Sequence, residues 1–377
     1  MTSLNQKPAL KERFLEILLR SNGFVSVLVV LLGFIIATVL IIVTGRSPGG
    51  MYSALLQVVS GFDVRRGVWN VRYVGEWLVM TMPLILCGLS MAFASRTGLF
   101  NIGAEGQYVA GVTAAQIVAL FGPRLPVVHV LLAVIAAVAA GGFLGGFVGY
   151  LKARYSVSEV VATIMMNYIA LYLHRWISLG IPGSTTYKTQ DFPATARLSS
   201  AFMEGATNGS HLNYGILLTI GAILFFWIVM GKTRLGYSLR ATGYNKEAAR
   251  CAGINVNSNI TAAMGIAGAF AGLAGAVVSL GSLSYGRILA GQDGYGFDGI
   301  AVALVGNNTA FGTTVAGLLF GMLKSAQPLM QTREIPKEIA SIIIGLVVVF
   351  ISLRAGLRMM VEWYLKRRTR KEEAPES

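Results

Sequence analysis

The sequence predicts an all-α integral membrane protein, a polytopic helical bundle of about ten membrane segments that include broken or re-entrant helices. Hydrophobic residues make up 54% of the 377 residues and charged residues only 13%, whereas about a quarter of an ordinary soluble domain is charged. The mean hydropathy is +0.64. Apolar runs near the roughly 20 residues that cross a bilayer recur along the chain. Composition and run length together exclude a soluble domain.

The net charge and the cysteines exclude several other classes. A formal net charge of +14 is also found in nucleic-acid-binding proteins. Here, however, the basic residues fall at segment ends and in short loops, where orientation in the membrane explains them. We therefore expect no nucleic-acid partner. Cys87 lies in an apolar run and Cys251 in a basic loop, a pattern that favours neither a disulfide nor a metal site.

Residues 1–23 come first and are predicted to form a cytoplasmic interfacial helix. They combine four basic residues with an apolar stripe at helical spacing, formed by Leu10, Phe14, Ile17 and Leu18. The apolar run 24–43 that follows is longer than a signal-peptide core, so it is predicted to remain as the first span.

Further apolar segments alternate with loops and form, with the first span, a single membrane domain over 24–353. They cover 77–94, 107–121, 126–151, 160–181, 214–230, 260–283, 297–323 and 338–353. With the N-terminus inside, loops 44–76 and 182–213 fall outside the cell, and the basic loop 231–259 falls in the cytoplasm. The positive-inside rule agrees, and it also places the basic tail 354–377 in the cytoplasm.

Two interruptions within apolar segments predict broken helices. Nine single crossings would leave the basic tail outside, so one segment must cross an even number of times. Gly306-Asn307-Asn308-Thr309 interrupts 297–323, which predicts two half-length pieces in a broken or re-entrant hairpin. A similar polar break, around 101–107, precedes the third span. Such breaks are tolerated only where protein or a water-filled cavity surrounds them, so they indicate a pathway.

The glycines have structural interpretations. Gly294 to Gly299 match GxGxxG, but no strand or βαβ unit accompanies them, so a dinucleotide site is rejected. We expect instead a glycine-rich start of a half-helix that Asp298 caps. Glycines four residues apart, such as Gly141 with Gly145 and Gly268 with Gly272, predict closely packed helices.

Polar residues near the spans are the candidates for a translocation pathway. Glu105, Glu159 and Asp298 sit at segment edges, where capping or solvation is the first expectation. Asn167 and Tyr168 lie well inside 160–181, where they line a polar path or make interhelical hydrogen bonds. The predicted pathway residues are Asn101, Glu105, Gln107, Asn167, Tyr168, Asp298, Asn307 and Asn308.

Two further polar residues lie near the outer end of segment 160–181. Snorkelling is expected for His174 and Arg175. The sequence contains no P-loop motif and no recognisable catalytic or metal-binding constellation. We therefore expect a chain that is not an enzyme and needs no cofactor, so that any ATP is used by another subunit.

The basic loop 231–259 is the strongest docking candidate. It carries five basic residues against the single acid Glu247. Asn245 is a plausible N-cap and Gly253 a C-terminal stop, so the segment between them predicts a helix of about two turns. A short charged helix at the membrane face is suited to binding a soluble partner.

Four stretches resemble the permease subunits of bacterial ABC importers, the family that spans simple sugars, nucleosides and branched-chain amino acids. They read RTGLFNIGAEGQ at 96–107, SEVVATIMMNYIA at 158–170, GYNKEAARCAGI at 243–254 and GFDGIAVALVG at 296–306. The second and fourth are most similar to nucleoside-type members. The resemblance extends over about 75–353.

The resemblance implies a multi-pass protein of the bacterial cytoplasmic (inner) membrane and a set of partners. These are an ATPase subunit, a second permease that is identical or homologous, an extracytoplasmic substrate-binding lipoprotein and a small-molecule solute. The coupling helix would comprise Asn245, Lys246, Glu247, Ala248, Ala249, Arg250, Ala252 and Gly253, with Cys251 where relatives often carry an aromatic residue.

The function expected is import of a purine or pyrimidine nucleoside, and three alternatives remain open. The same type of importer could carry ribose, galactose or riboflavin. An ATP-independent carrier or channel is disfavoured by the coupling loop and by the lack of a buried charge relay. A membrane scaffold without transport is disfavoured by the two broken segments.

Overall fold

The computed structural model describes residues 22–336 and 338–353, and within these ranges the chain forms fourteen α-helices. They are α1 (Asn22–Val43), α2 (Gly49–Ser60), α3 (Arg72–Arg96), α4 (Ala104–Phe121), α5 (Val128–Tyr155), α6 (Glu159–Gly180), α7 (Ala201–Ala206), α8 (Gly215–Lys232), α9 (Arg234–Tyr244), α10 (Lys246–Cys251), α11 (Val256–Gly281), α12 (Tyr295–Val305), α13 (Ala310–Gln331) and α14 (Glu338–Ser352).

Four short strands accompany the helices in two antiparallel pairs. The first pair is β1 (Phe62–Asp63) with β2 (Val68–Trp69). The second is β3 (Lys188–Asp191) with β4 (Tyr285–Arg287), in which Lys188 lies opposite Arg287. The second pair ties the loop after α6 to the loop after α11, which positions the chain that leads into α12.

Helices of membrane-spanning length confirm the prediction of an all-α membrane protein. Five helices, α1, α3, α5, α8 and α11, are both long and apolar enough to cross a bilayer. Each predicted apolar segment from 24 to 353 corresponds to helix in the structure. The interfacial helix predicted for 1–23 falls almost wholly outside the described residues, which begin at Asn22, and the tail 354–377 lies outside them too.

The break predicted at 306–309 is confirmed, but the piece that follows it is longer than predicted. Helix α12 ends at Val305 and α13 begins at Ala310, and Asn307 and Asn308 between them both have φ of 52°. Asparagine tolerates this left-handed conformation better than most residues. Helix α13 has 22 residues, so it is not a half-length piece. The apolar run is interrupted at Lys324, but the helix continues to Gln331.

Three helices occur where none was predicted, and one of them is the six-residue α7 in the loop 182–213. Helix α2 lies in the loop 44–76 and buries Met51 and Val58 against the last helices. Helix α9 precedes the expected short helix, and its N-cap Thr233 accepts a hydrogen bond from the Gly236 backbone at 3.0 Å. The glycines of α9 serve close packing, since a Cβ on Gly243 would lie 2.9 Å from the Thr97 backbone carbon.

Glycines hold the centre of the bundle together, as predicted. A Cβ on Gly141 of α5 would lie 2.7 Å from the Gly272 Cα of α11, and a Cβ on Gly111 of α4 would lie 2.6 Å from the same atom. Real Cβ atoms essentially never come closer than 3.0 Å to such neighbours. Close backbone approach of this kind maximises dispersion contacts where lipid offers no hydrophobic driving force.

Helix α3 joins the two halves of the bundle. Its buried Leu89 packs in the cluster formed with α4, α8 and α11. Its Leu84 packs in the second cluster, which contains residues of α1, α2 and α12–α14. A Cβ on Gly88 would lie 2.8 Å from side-chain atoms of both Val302 and Thr313. The broken segment therefore packs directly against the best-buried span.

Filling the glycine contact should destabilise the bundle. We expect Gly141→Val to lower the free energy of unfolding by about 1–3 kcal/mol, because the larger side chain forces α5 and α11 apart. The measurement is the apparent Tm of the detergent-purified protein, which should fall by several degrees. Gly221→Val in α8 is the control, since a Cβ there meets no atom within 4 Å. Equal Tm values for the two variants would contradict the packing role.

Candidate functional site

The start of half-helix α12 is bound by a carboxylate from α4. Glu105 is fully buried, and its two carboxylate oxygens accept hydrogen bonds from Gly294 N at 2.8 Å and Gly296 N at 2.7 Å. A helix N-terminus carries partial positive charge and unpaired N–H groups, so an anion is stabilised there. The predicted capping by Asp298 is wrong, because no side chain of α12 itself caps the helix and Glu105 takes that role.

The half-helix is too short to cross the membrane alone. Its 11 residues extend about 16 Å, roughly half of a 30 Å hydrocarbon core. The preceding segment, 282–294, contains only the short strand β4 and otherwise irregular backbone. Irregular backbone at membrane depth must be satisfied by protein groups or cavity water.

His174 of α6 supplies one of those groups. Its Nε2 accepts a hydrogen bond from Leu289 N at 3.2 Å, and its Nδ1 lies 2.9 Å from the Thr113 hydroxyl. The His174 side chain is fully buried. The snorkelling predicted for His174 is therefore wrong, and the residue anchors the chain that leads into α12.

A second anchor lies immediately before α12. Tyr108 of α4 donates a hydrogen bond from its hydroxyl to Asp293 Oδ2 at 2.9 Å, and Arg287 forms an ion pair with the same carboxylate. The Tyr108 ring also packs against Tyr295, with ring centroids 5.5 Å apart. Both the entrance and the first turn of the half-helix are thus attached to α4.

The start of α4 forms its own buried polar network. Asn101 donates to Ser90 Oγ at 3.0 Å and to Gln107 Oε1 at 2.8 Å. Asn167 of α6 accepts from Gly106 N at 2.7 Å and donates to the Ile102 carbonyl at 3.1 Å. Asn101, Gln107 and Asn167 are all at most 2% exposed. Asn167 therefore makes the interhelical hydrogen bonds that were one of its two expected roles.

Asp298 forms an ion pair with Lys324, a residue that was not predicted to belong to the site. Lys324 also lies over the Tyr295 ring, with its Nζ 5.4 Å from the ring centroid. Both charged side chains are mostly buried. The sequence did contain a signal for Lys324, which is a lone cation at the end of an apolar run. Ionisable residues within membrane helices usually have a partner and a function.

Three predicted pathway residues lie away from this polar cluster. Tyr168 is 51% exposed on the outer surface of α6. Asn307 and Asn308 lie at the opposite end of α12, where the Asn308 carbonyl accepts a hydrogen bond from Arg96 Nε at 2.8 Å. The structure therefore brings together Asn101, Glu105, Gln107, Asn167 and Asp298, and adds Tyr108, His174, Arg287, Asp293, Tyr295 and Lys324.

The short helix in the basic loop has the predicted ends. Asn245 Oδ1 accepts hydrogen bonds from Glu247 N at 3.0 Å and Ala248 N at 3.1 Å, which makes it the N-cap. Gly253 has φ of 78°, and Ile254 N donates to the Ala249 carbonyl at 3.0 Å. This is the Schellman arrangement that ends helices at glycine.

Helix α10 presents almost all of its residues to the outside. Ala249 is 3% exposed and anchors the helix, whereas the other five residues, Lys246, Glu247, Ala248, Arg250 and Cys251, are exposed. Glu247 and Arg250 form an exposed ion pair at 3.0 Å. A helix of six residues held by one buried alanine offers a charged surface rather than a packed one.

Direct contacts connect the basic loop with the break at the start of α4. Gly243 of α9 packs against the backbone of Arg96 and Thr97, and a Cβ on Gly98 would lie 3.2 Å from Gly243 Cα. Asn259 of α11 also donates a hydrogen bond to the Thr242 hydroxyl at 3.0 Å. Movement of α9 would therefore be transmitted to the end of α3, five residues before Asn101.

The site offers capping, ion pairing and hydrogen bonding rather than bond-breaking chemistry. In the described ranges, 22–336 and 338–353, no group of three or more His, Cys, Asp or Glu side chains is arranged to hold a metal ion. The buried acids each have a partner, which is a pair of backbone N–H groups for Glu105, Lys324 for Asp298 and Arg287 for Asp293.

Comparison with known proteins identifies the sequence family of this chain. The family described as "Branched-chain amino acid transport system / permease component" matches residues 73–352. The chain is 40% identical to the guanosine ABC transporter permease protein NupP of Bacillus subtilis, over 88% of this chain and 96% of that protein.

Two further relatives differ in the solute of their names. The chain is 33% identical to the nucleoside ABC transporter permease protein NupB of Lactococcus lactis, over 89% of this chain and 92% of that protein. It is 34% identical to the glucose ABC transporter permease protein TsgB13 of Haloferax volcanii, over 73% of this chain and 75% of that protein.

Proposed function

Because the chain belongs to the family of branched-chain amino acid transport system permease components, we propose that it forms the pathway by which an ABC importer moves nucleosides across the cytoplasmic membrane. The chain is a multi-pass inner-membrane permease, a transport component rather than an enzyme. The nucleoside assignment rests on the similarity to two relatives named for guanosine and nucleosides, at 40% and 33% identity over most of each chain.

The proposed topology has ten crossings with both termini in the cytoplasm. The crossings are α1, α3, α4, α5, α6, α8, α11, 282–294 with α12, α13 and α14. Two sets of contacts support it. Arg96 meets Asn308 beside the basic loop at one face, and the Arg46–Glu334 ion pair joins the ends of α1 and α13 at the other. Ten crossings return the basic tail to the side of the N-terminus.

The proposed coupling surface is α10 with its caps, which would dock into the ATPase. Its support is the exposed charge of Glu247 and Arg250 and the packing of Gly243 against the end of α3. An ABC importer permease works with an ATPase and a substrate-binding protein. A second permease, identical or homologous, would complete the membrane part, and the binding protein would be a lipoprotein that contacts loops 44–76 and 182–213.

The proposed moving part is the broken segment around α12. Nucleotide-driven motion of the ATPase would reach α9, the end of α3 and the Asn101 network through direct contacts. Allosteric transitions commonly use such rigid elements with few alternative packings. Asn101, Glu105, Gln107, Asn167 and Asp298, with Tyr168, Asn307 and Asn308, are proposed to line or support the pathway.

Competition during uptake tests the solute class. Cells that express the complete importer should take up labelled guanosine, and unlabelled purine or pyrimidine nucleosides should compete for that uptake. Glucose, ribose, galactose and riboflavin should not compete. Sugar transport is the second candidate because of the 34% identity to a glucose permease. Uptake of glucose or ribose without competition by any nucleoside would replace the nucleoside assignment with that candidate.

A further inference from the structure

A groove lies between α1 and the α12–α13 turn, at the opposite end of α12 from the buried carboxylate of Glu105. Its cavity is about 810 Å³, within the roughly 300–1,000 Å³ of small-molecule sites. We call it the α1–α13 groove. It is lined by Gly23, Ser26, Val27, Val30, Leu31, Arg96, Val305, Gly306, Asn307, Thr309, Phe311, Gly312, Val315, Ala316 and Leu319.

The body of the groove is apolar and open to the surroundings of the bundle. Val27 is 59% exposed, Leu31 56% and Val315 49%, and Leu319 continues the same wall. In a membrane-spanning bundle, exposed apolar side chains along helices face lipid chains. An elongated hydrocarbon ligand therefore fits this wall.

One end of the groove is polar and carries a cation. Arg96 uses its Nε to donate to the Asn308 carbonyl, and Asn307 and Thr309 lie beside it in the turn. Within residues 22–336 and 338–353, Arg96 forms no ion pair with a carboxylate. A guanidinium has five donors in a fork that matches phosphate, so its remaining N–H groups suit an anionic oxygen cluster.

We propose that the α1–α13 groove binds an anionic phospholipid, with its phosphate at Arg96 and one acyl chain along Val27, Leu31 and Val315. The arrangement of a single cation above an apolar wall matches the charge and the length of such a lipid. Basic pockets between membrane helices on the cytoplasmic side bind anionic headgroups in this way. The cytoplasmic leaflet follows from the proposed topology, but the binding site itself does not depend on the solute.

The lipid would stabilise a junction that transport uses. Arg96 connects α3 to the Asn308 turn, and Gly98 two residues later packs against Gly243 in the basic loop. A lipid that bridges α1 with this turn would fix the end of the broken segment against the loop. Phospholipid composition would then modulate transport from the end of α12 that lies opposite Glu105.

Native mass spectrometry of the purified permease complex, equilibrated with equal phosphatidylglycerol and phosphatidylcholine, tests the proposal. Wild type should retain phosphatidylglycerol in preference to phosphatidylcholine. Arg96→Gln should lower that retention about fivefold, the contribution of one basic residue to anionic-lipid binding. Val27→Trp, which fills the apolar body and leaves the charge intact, should lower retention as well. Arg154→Gln, an exposed arginine in the last turn of α5, is the matched control and should behave as wild type.

Several results would overturn the proposal. Equal retention of the two lipids, or unchanged retention in both Arg96→Gln and Val27→Trp, would show that the groove does not select an anionic phospholipid. Displacement of phosphatidylglycerol by inorganic phosphate would indicate a phosphate site instead. Higher retention after deletion of residues 2–20 would identify that segment as the occupant in the intact chain. Each readout is independent of nucleoside uptake, so the lipid inference and the proposed solute can fail separately.

Discussion

Replacing Glu247 and Arg250 together with alanine is expected to abolish uptake and to release the ATPase from the membrane complex. The two residues face outward from α10, 77% and 56% exposed at their side chains, and form an ion pair with each other. An exposed pair at this spacing contributes only about 0.2–0.5 kcal/mol to a helix. The fold should therefore survive their loss, whereas truncating a hot-spot residue at the centre of an interface costs about 2 kcal/mol or more in binding.

Co-purification and uptake measure the two consequences. The double variant should insert in the membrane at the wild-type level, yet the tagged permease should retrieve little ATPase and labelled guanosine should accumulate only at background. Arg46→Ala with Glu334→Ala is the matched control for ATPase retrieval, because it removes an acid–base pair of similar exposure at the opposite face, between the ends of α1 and α13. Normal uptake by the α10 double variant would rule out the coupling role of this helix.

Features set by nearby residues were predictable from the sequence. The spans follow from apolar run length, because hydrocarbon admits only satisfied backbone and apolar side chains. The ends of α10 follow from Asn245 and Gly253, whose side-chain and backbone properties act within a few residues. The break at 306–309 was equally local, since its asparagines interrupt an apolar run.

Features set by residues distant in sequence were not predictable in the same way. Glu105 caps α12 from 189 residues away, and His174 anchors the lead-in segment from 115 residues away. Single-sequence patterns contain no signal for such pairings, so Asp298 was assigned the cap and His174 was expected to snorkel. The cation Lys324 and the helix α9 were missed for a related reason. The ion pair with Asp298 neutralises the Lys324 charge within the bundle, and the glycines of α9 allow close contacts with neighbouring backbone.

Replacing Glu105 with alanine is expected to have the largest effect on the pathway itself. The change leaves Gly294 N and Gly296 N without their acceptors in a buried site. An unsatisfied buried donor costs about 1–3 kcal/mol, so the two together should destabilise the protein by about 2–6 kcal/mol. The N-terminus of α12 also loses the anion that balances its dipole. The half-helix should then shift or fray, and transport should stop.

Comparing three variants separates the capping role from a general loss of stability. Glu105→Ala should lower the apparent Tm strongly and eliminate guanosine uptake. Glu105→Gln retains one oxygen acceptor and should lie between wild type and alanine in Tm. Glu76→Ala is the control, because Glu76 also accepts a hydrogen bond from a backbone N–H, that of His211 at 3.2 Å, but at an exposed position. Water can replace that acceptor, so the Tm should stay near wild type. Transport that persists in Glu105→Ala would mean that the half-helix is held by Tyr108 and His174 alone, and that the carboxylate is dispensable for the broken segment.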